Sequence, residues 1–149
     1  MRSERDASFT YRLGVMVETP RACLRADDIA PHCAFLSFGT NDLTQMTYGL
    51  SRDDAGRFMS DYVQQGVFPE DPFHRLDAEG VGELIRIGVR RGRQGNGGVM
   101  LSVCGEHGGN PESIAFCRSV GIDYVSCSPF RVPVARLAAA QLAIQDKMG

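Results

Sequence analysis

Glu18 and Asp42 are two carboxylates standing where a metal ion could use them. Glu18 lies near the end of the apolar run Leu13–Thr19 (LGVMVET), and Asp42 follows the run Ala34–Thr40 (AFLSFGT). Carboxylates from neighbouring strand ends suit Mg²⁺, which takes one or two of them and completes its octahedron with water and substrate oxygens. Either group could instead be a solvated carboxylate, and Asp42 could cap a helix. Cys104 closes a third run, Val99–Cys104, and Gly105, Glu106, His107, Gly108 and Gly109 follow it. Glycine after a strand lets a ligand come close to the backbone. A thiol with an ordinary pKa of about 8.5 can hold a proton at neutral pH and deliver it. The competing role for Cys104 is that of a buried structural residue. His107 could be an acid/base or a ligand, although such a histidine is more often a hydrogen-bonded structural residue. Arg52 follows a Gly-Leu-Ser turn and could grip a phosphate or carboxylate with two parallel hydrogen bonds. It could equally pair at the surface with Asp53 or Asp54.

These residues need elements to hold them. The three runs above and a fourth, Ile122–Ser128 (IDYVSCS), are too short for helices and mostly lack alternation. That pattern suits strands covered on both faces, as in a parallel sheet. Helical periodicity predicts a helix over Asp77–Arg91, with Val81, Leu84, Ile85 and Gly88 on one face. Asn110 before Pro111 reads as an N-cap with Pro at the first helical position, and Gly121 is placed to end that helix. A last helix is expected over Val134–Lys147, with Val134, Leu137, Ala138 and Leu142 on one stripe. A shorter one is expected over Arg25–Cys33, interrupted by Pro31. Residues 44–76, rich in Asp, Gly and aromatics, read as a long functional loop with short helices.

Alternating strands and helices imply right-handed crossovers and a parallel sheet, and hence an α/β class. Four βα units could be a small open sheet or half of an eight-stranded barrel. A complete barrel needs about 250 residues, so 149 cannot make one. In parallel α/β folds the ligand binds at the carboxyl ends of strands, where all four polar clusters fall. This convergence is a stronger pointer than any single motif.

Composition narrows the partners. A formal net charge of -2 with 23% charged residues argues against a general nucleic-acid binder. No apolar run is long enough to span a membrane, and the polar start of the chain has no signal-peptide core. Five cysteines without a C-x-x-C pair fit free thiols in a reducing cytoplasm rather than a disulfide or zinc framework.

Longer strings carry a resemblance. GVMVETPRA resembles the metal-ligand strand of the PEP-utilising enzyme family, whose usual form is close to G-T-M-I-E-x-P-R-A. FGTNDLTQMTYGLSRDDAGRF resembles that family's next strand and loop, in the form typical of its pyruvate, phosphate dikinase branch. DPFHRLDAEGVGELIRIGVRRGR and CGEHGGNPESIAFCRSVGIDYVSCSPFRVPVARLAAAQ resemble the same branch. The likeness runs from about Leu13 to Gln141, with Val15 as a departure where the family usually has Thr.

The resemblance implies the C-terminal half, strands five to eight, of a TIM-type (β/α)8 barrel that binds PEP or pyruvate. Residues 1–12 would be a lead-in and 13–149 the partial barrel. Glu18 and Asp42 would bind Mg²⁺, Asn41 and Arg52 the phosphoryl group, and Cys104 would handle the proton at C3. Gly39, Thr40, Gly105 and Tyr124 would line the pocket. The full reaction converts ATP, pyruvate and phosphate to AMP, PEP and diphosphate. Its phosphohistidine and ATP-binding domains would be partners outside this chain, which is expected to be a fragment inactive in isolation and to form homo-oligomers. One alternative is an inactive, self-associating half-barrel that binds a divalent cation and anions. A PEP synthase-type relative is another, and Ser51-Arg52-Asp53-Asp54-Ala55-Gly56 speaks against it.

Overall fold

The computed structural model describes residues 10–148; the first nine residues of the expected lead-in lie outside them. Four strands, β1 (Gly14–Val17), β2 (Phe35–Gly39), β3 (Met100–Cys104) and β4 (Tyr124–Val125), form one sheet in the order β1-β2-β3-β4. Every pair is parallel. The helices are α1 (Pro20–Leu24), α2 (Ala26–Ile29), α3 (Thr40–Tyr48), α4 (Arg52–Ala55), α5 (Met59–Gln64), α6 (Val81–Gly95), α7 (Pro111–Ser119) and α8 (Val132–Met148). Consecutive parallel strands joined through helices make this half of a (β/α)8 barrel, as the sequence led us to expect.

Register explains how one sheet serves two purposes. Successive side chains of a strand point to opposite faces. Val17, Leu36, Phe38, Leu101 and Val103 share one face and are fully buried. They pack with Val81, Ile85 and Val89 of α6 and with Cys23 and Ala26 beneath α1 and α2. Met16, Ser37, Gly39, Met100, Ser102, Cys104 and Tyr124 share the other face. There Met16, Met100 and Tyr124 remain exposed. The alternation thus separates a core face from an open face along the same strands.

Close packing of α6 on the sheet depends on its glycines. A Cβ on Gly88 would stand 2.6 Å from Phe38 Cε1, and one on Gly92 3.0 Å from Leu36 Cδ1. Helix entry is fixed by side chains. Asn110 caps α7 by accepting from Ser113 N at 2.8 Å, and Gly121 after it adopts φ 84°. The α6 turn differs from expectation, because the helix begins at Val81 rather than Asp77. The Asp77 carboxylate instead accepts from the backbone N–H groups of Glu79, Gly80 and Val81, forming a turn ahead of the helix.

Other boundaries moved for physical reasons. The short helix expected over Arg25–Cys33 is present as α2 and a 3-10 turn at Ala30–His32, and α1 is an additional helix ahead of it, started where Thr19 accepts from Ala22 N at 3.2 Å and Pro20 occupies the first turn. Strand β4 shrinks to two residues. It is an edge strand, and beside it the Asp123 carboxylate takes the Leu101 N–H at 2.7 Å and pairs with Arg93. The stripe expected on α8 holds at Ala138 and Leu142 but not at its other two positions. Ala135 and Ala138 are buried, whereas Val134 and Leu137 are exposed. Residues 44–48 belong to α3, so the excursion is shorter than the loop expected over 44–76. It carries its own small core of Ala55, Met59 and Phe73, with Tyr48 and Phe68 in edge-to-face contact at 5.5 Å.

Candidate functional site

The carboxyl ends of β1, β2 and β3 bring most of the expected site residues together on the open face. Glu18 follows β1 and lies over Gly39, where an added Cβ would fall 2.9 Å from Glu18 Oε2. Any side chain larger than hydrogen at position 39 would therefore displace this carboxylate. Cys104 is the register partner of Gly39 and is half-buried. Its thiol contacts the Phe38 carbonyl at 3.7 Å and Met16 Sδ at 4.0 Å. Tyr124 sits on the same face opposite Ser102 and is exposed.

Helix α3 starts at Thr40, so Asn41 and Asp42 lie in its first turn. Partial positive charge at a helix start favours a carboxylate there. A chain of contacts then returns from Asp42 to Asn41. Gln45 Nε2 donates to Asp42 Oδ1 at 3.0 Å, and Gln45 Oε1 accepts from Arg52 N at 2.7 Å. The Arg52 guanidinium pairs with Glu106 at 3.2 Å, and Glu106 N donates to Asn41 Oδ1 at 3.4 Å. Because a backbone N–H must meet the amide oxygen, the Gln45 amide is oriented with its nitrogen toward Asp42. Arg52 is paired with Glu106, not with Asp53 or Asp54. Both partners are about two-fifths exposed, so an arriving anion can compete for the arginine.

His107 has the structural environment expected for it. It is fully buried, with Nδ1 2.7 Å from Thr40 Oγ1 and Nε2 2.9 Å from the Pro72 carbonyl. Burial pushes its pKa down, against the opposing pull of the Pro72 contact and of Glu106 and Asp71. Thr40 Oγ1 also lies 3.0 Å from the Cys104 carbonyl oxygen. Gly105 has φ 114°, and a Cβ there would meet Thr40 Oγ1 at 2.8 Å and Asn41 Oδ1 at 3.2 Å. The loop after β3 thus lies directly on the start of α3, at a backbone conformation that glycine adopts readily.

The other cysteines are quieter. Burial raises the pKa of Cys23 and of Cys117 to about 12, which keeps both as inert thiols. Among the described residues no three His, Cys, Asp or Glu side chains converge on a metal-sized point. The donors present are hard oxygens on two strand ends, with Asp42 Oδ1 engaged by Gln45. That set fits Mg²⁺, which keeps few protein ligands, and does not fit a structural zinc site. A groove lined by Ala115, Arg118, Leu142 and Asp146 lies between α7 and α8, away from the strand ends.

Sequence reasoning left Gln45 and Glu106 without roles. Gln45 is three residues from Asp42 on one helix, a spacing that was readable. Glu106 offered no local signal, because its partner is 54 residues distant.

The family model for the PEP-utilising enzyme, PEP-binding domain, matches residues 2–144. Over 147 residues the chain is 54% identical to a pyruvate, phosphate dikinase of Clostridium symbiosum. Over 144 residues it is 58% identical to one of Rhizobium meliloti (strain 1021), and over 134 residues 57% identical to pyruvate, phosphate dikinase 2 of Zea mays. These alignments cover 99%, 97% and 90% of the chain but only 17%, 16% and 15% of the relatives.

Proposed function

The chain belongs to the PEP-utilising enzyme family, and from that premise we propose that it forms the PEP/pyruvate half-site of a pyruvate, phosphate dikinase. The observation that carries this reading is the row Glu18, Gly39, Cys104 across the open face, beside the Asn41–Asp42–Gln45–Arg52–Glu106 circuit. Carboxylates, an arginine and a thiol lie along these strand ends, the residue types that metal binding, anion holding and proton transfer require.

Glu18 and Asp42 hold Mg²⁺, which when bound supplies positive charge that stabilises the enolate of pyruvate. Arg52 leaves Glu106 to grip the phosphoryl oxygens, with two parallel hydrogen bonds available to it. Asn41 has its Oδ1 engaged by Glu106 N, which leaves its Nδ2 hydrogens for substrate oxygens. When PEP gives up its phosphoryl group to a histidine, the P–O bond breaks and an enolate remains. Cys104 then donates its S–H proton to C3, leaving a thiolate. In the opposite direction the thiolate removes that proton, and the enolate oxygen attacks the phosphohistidine. Gly39, Thr40, Gly105 and Tyr124 shape the pocket.

In the whole enzyme the phosphohistidine and ATP-binding domains are the partners, and the reaction consumes ATP, pyruvate and phosphate. A reducing cytoplasm suits five cysteines that all stand as free thiols. Self-association is a second element of the reading. One edge of β1 and one of β4 have no strand beside them in the described sheet. Phe130 (95% exposed), Leu137 and Ile144 lie uncovered on the β4 side, and Leu13 on the β1 side. Open edges with apolar flanks favour pairing between copies. Sedimentation at micromolar concentration is expected to give dimers or larger species, and a clean monomer would contradict that element.

The central test is a chimera in which this chain replaces the matching stretch of the Clostridium symbiosum dikinase. The chimera is expected to turn pyruvate over. Its Cys104→Ala variant is expected to lose pyruvate turnover while still accepting phosphate from ATP on the histidine. Retained turnover in that variant would refute the acid/base role.

A further inference from the structure

Arg52 and Glu106 are each held in place by contacts other than their own. Arg52 begins α4, where Gln45 Oε1 accepts its backbone N–H at 2.7 Å and Ser51 caps the helix by accepting from Asp54 N at 3.4 Å. Glu106 follows Gly105, whose φ of 114° sets the turn against Thr40 and Asn41, and it precedes His107, which is fully buried. Both backbones are thus fixed independently, and the two side chains are presented to one another. Their contact is one hydrogen bond, from Arg52 Nη2 to Glu106 Oε1 at 3.2 Å. Arg93 shows a fuller grip in the same chain, since its Nη2 lies 2.9 Å from both carboxylate oxygens of Asp123. Arg52 also passes over the carboxylates beside it in sequence, and Asp54 pairs with Arg57 instead.

We propose that Glu106 is an internal competitor for Arg52, a tethered carboxylate that occupies the guanidinium until an external anion displaces it, and so limits how tightly that anion is held. Its place supports this. The backbone N–H of Glu106 meets Asn41 Oδ1 at 3.4 Å, so the residue stands between the arginine and the amide, the two N–H donors beside the open strand ends. An anion that reaches both donors must take the guanidinium from this carboxylate. A phosphoryl group has the means to do so. It carries more charge than one carboxylate, has three acceptor oxygens and can take two parallel N–H bonds from an arginine where Glu106 takes one. Release costs little, because the side chains are 43% and 40% exposed and the freed carboxylate returns to water. An exposed pair of this kind contributes modestly, so the competition tunes affinity and does not abolish it. That Arg52 receives a phosphoryl group rests on the function proposed above, and Glu106 regulates that same site.

Titration of the whole chain with inorganic phosphate at fixed ionic strength tests this, with binding followed by phosphorus NMR. Glu106→Gln keeps the size of the side chain and removes its charge. It is expected to tighten phosphate binding by about two- to fivefold, the range an exposed ion pair allows. Neutralising a carboxylate also changes the field around it, so the same substitution is repeated in an Arg52→Gln chain. There the gain is expected to vanish. Unchanged binding in Glu106→Gln would overturn the competition, and weaker binding would overturn it by making Glu106 a support for the arginine. A gain that persists without Arg52 would overturn it as a general effect of charge. Absence of phosphate binding in both the unaltered and the Glu106→Gln chain would overturn it as well. The titration uses neither pyruvate nor the Cys104 proton, so a failure here is separable from a failure of the chimera.

Discussion

The two faces of the sheet are built from the same strands and obey opposite rules. On the helix-covered face, Leu36, Phe38, Leu101 and Val103 are wholly buried and α6 presses on them through glycines. On the open face, Met16, Met100 and Tyr124 are exposed, and the polar strand ends converge. Adjacent residues in sequence therefore serve different ends. Val103 is wholly buried on the core face, and Cys104, one residue later, stands half-buried on the open face. The fold can sustain a site because stability is concentrated on the face that the site does not use.

Changes on the two faces should therefore differ sharply in their effect on stability. The largest loss is expected for Phe38→Ala, about 3–5 kcal/mol by urea unfolding, from lost burial and a cavity. Met16→Ala on the open face should cost much less, and equal losses would break the comparison. Next comes Gly88→Val, which drives a side chain into Phe38 and should cost about 1–3 kcal/mol by overpacking. A neutral result would mean that α6 can move away from the sheet.

Titration separates the two sides of the site further. Burial alone would raise the Asp77 pKa, but donors from Gly80, Tyr48, Val81 and Glu79 together bring it below its ordinary value. Its contribution to stability is present above the ordinary carboxylate range and is lost as pH falls through the lowered value. Asp77→Asn should remove about 1 kcal/mol near neutral pH and flatten that acid limb in urea titrations. His107 works at a higher pH. Its lowered pKa means that the unfolded chain takes up a proton first, so stability falls as pH drops below about 6.5. The fall ends once the folded ring also protonates. His107→Gln should flatten this window, and an unaltered profile would mean that the ring does not titrate differently on folding.

The smallest stability effect is expected at the thiol itself. Cys104→Ala should shift unfolding by no more than about 1 kcal/mol while removing pyruvate turnover in the chimera. A loss comparable to that of Phe38→Ala would mean that Cys104 belongs to the core, and the division between the faces would fail at the residue that matters most to it.

Much of this architecture was legible from local pattern. Four apolar runs ending in polar clusters identified the strands, their order and the ends that carry Glu18, Asp42 and Cys104. Asn110 and Gly121 marked the limits of α7 because capping is a matter of a few neighbouring residues. Local pattern was less reliable where a tertiary contact overrode it. Strand β4 was expected over Ile122–Ser128, but at an edge with Asp123 taking the ladder's place only Tyr124–Val125 remained. Of the α8 stripe, Ala138 and Leu142 do pack against α7 with Ile114, but Ala135 takes the place expected for Val134 and Leu137, which are exposed.

By itself, then, the sequence determined the class of fold, the limits of α7 and the residue types gathered at the strand ends. These depend on periodicity and on short-range hydrogen bonds. Only the tertiary structure decided that Arg52 is held by Glu106 and that His107 joins Pro72 to Thr40. Those partners lie 54, 35 and 67 residues apart. No local energy term links residues so distant; the parallel register brings the strand ends side by side, and the contacts follow from that closure.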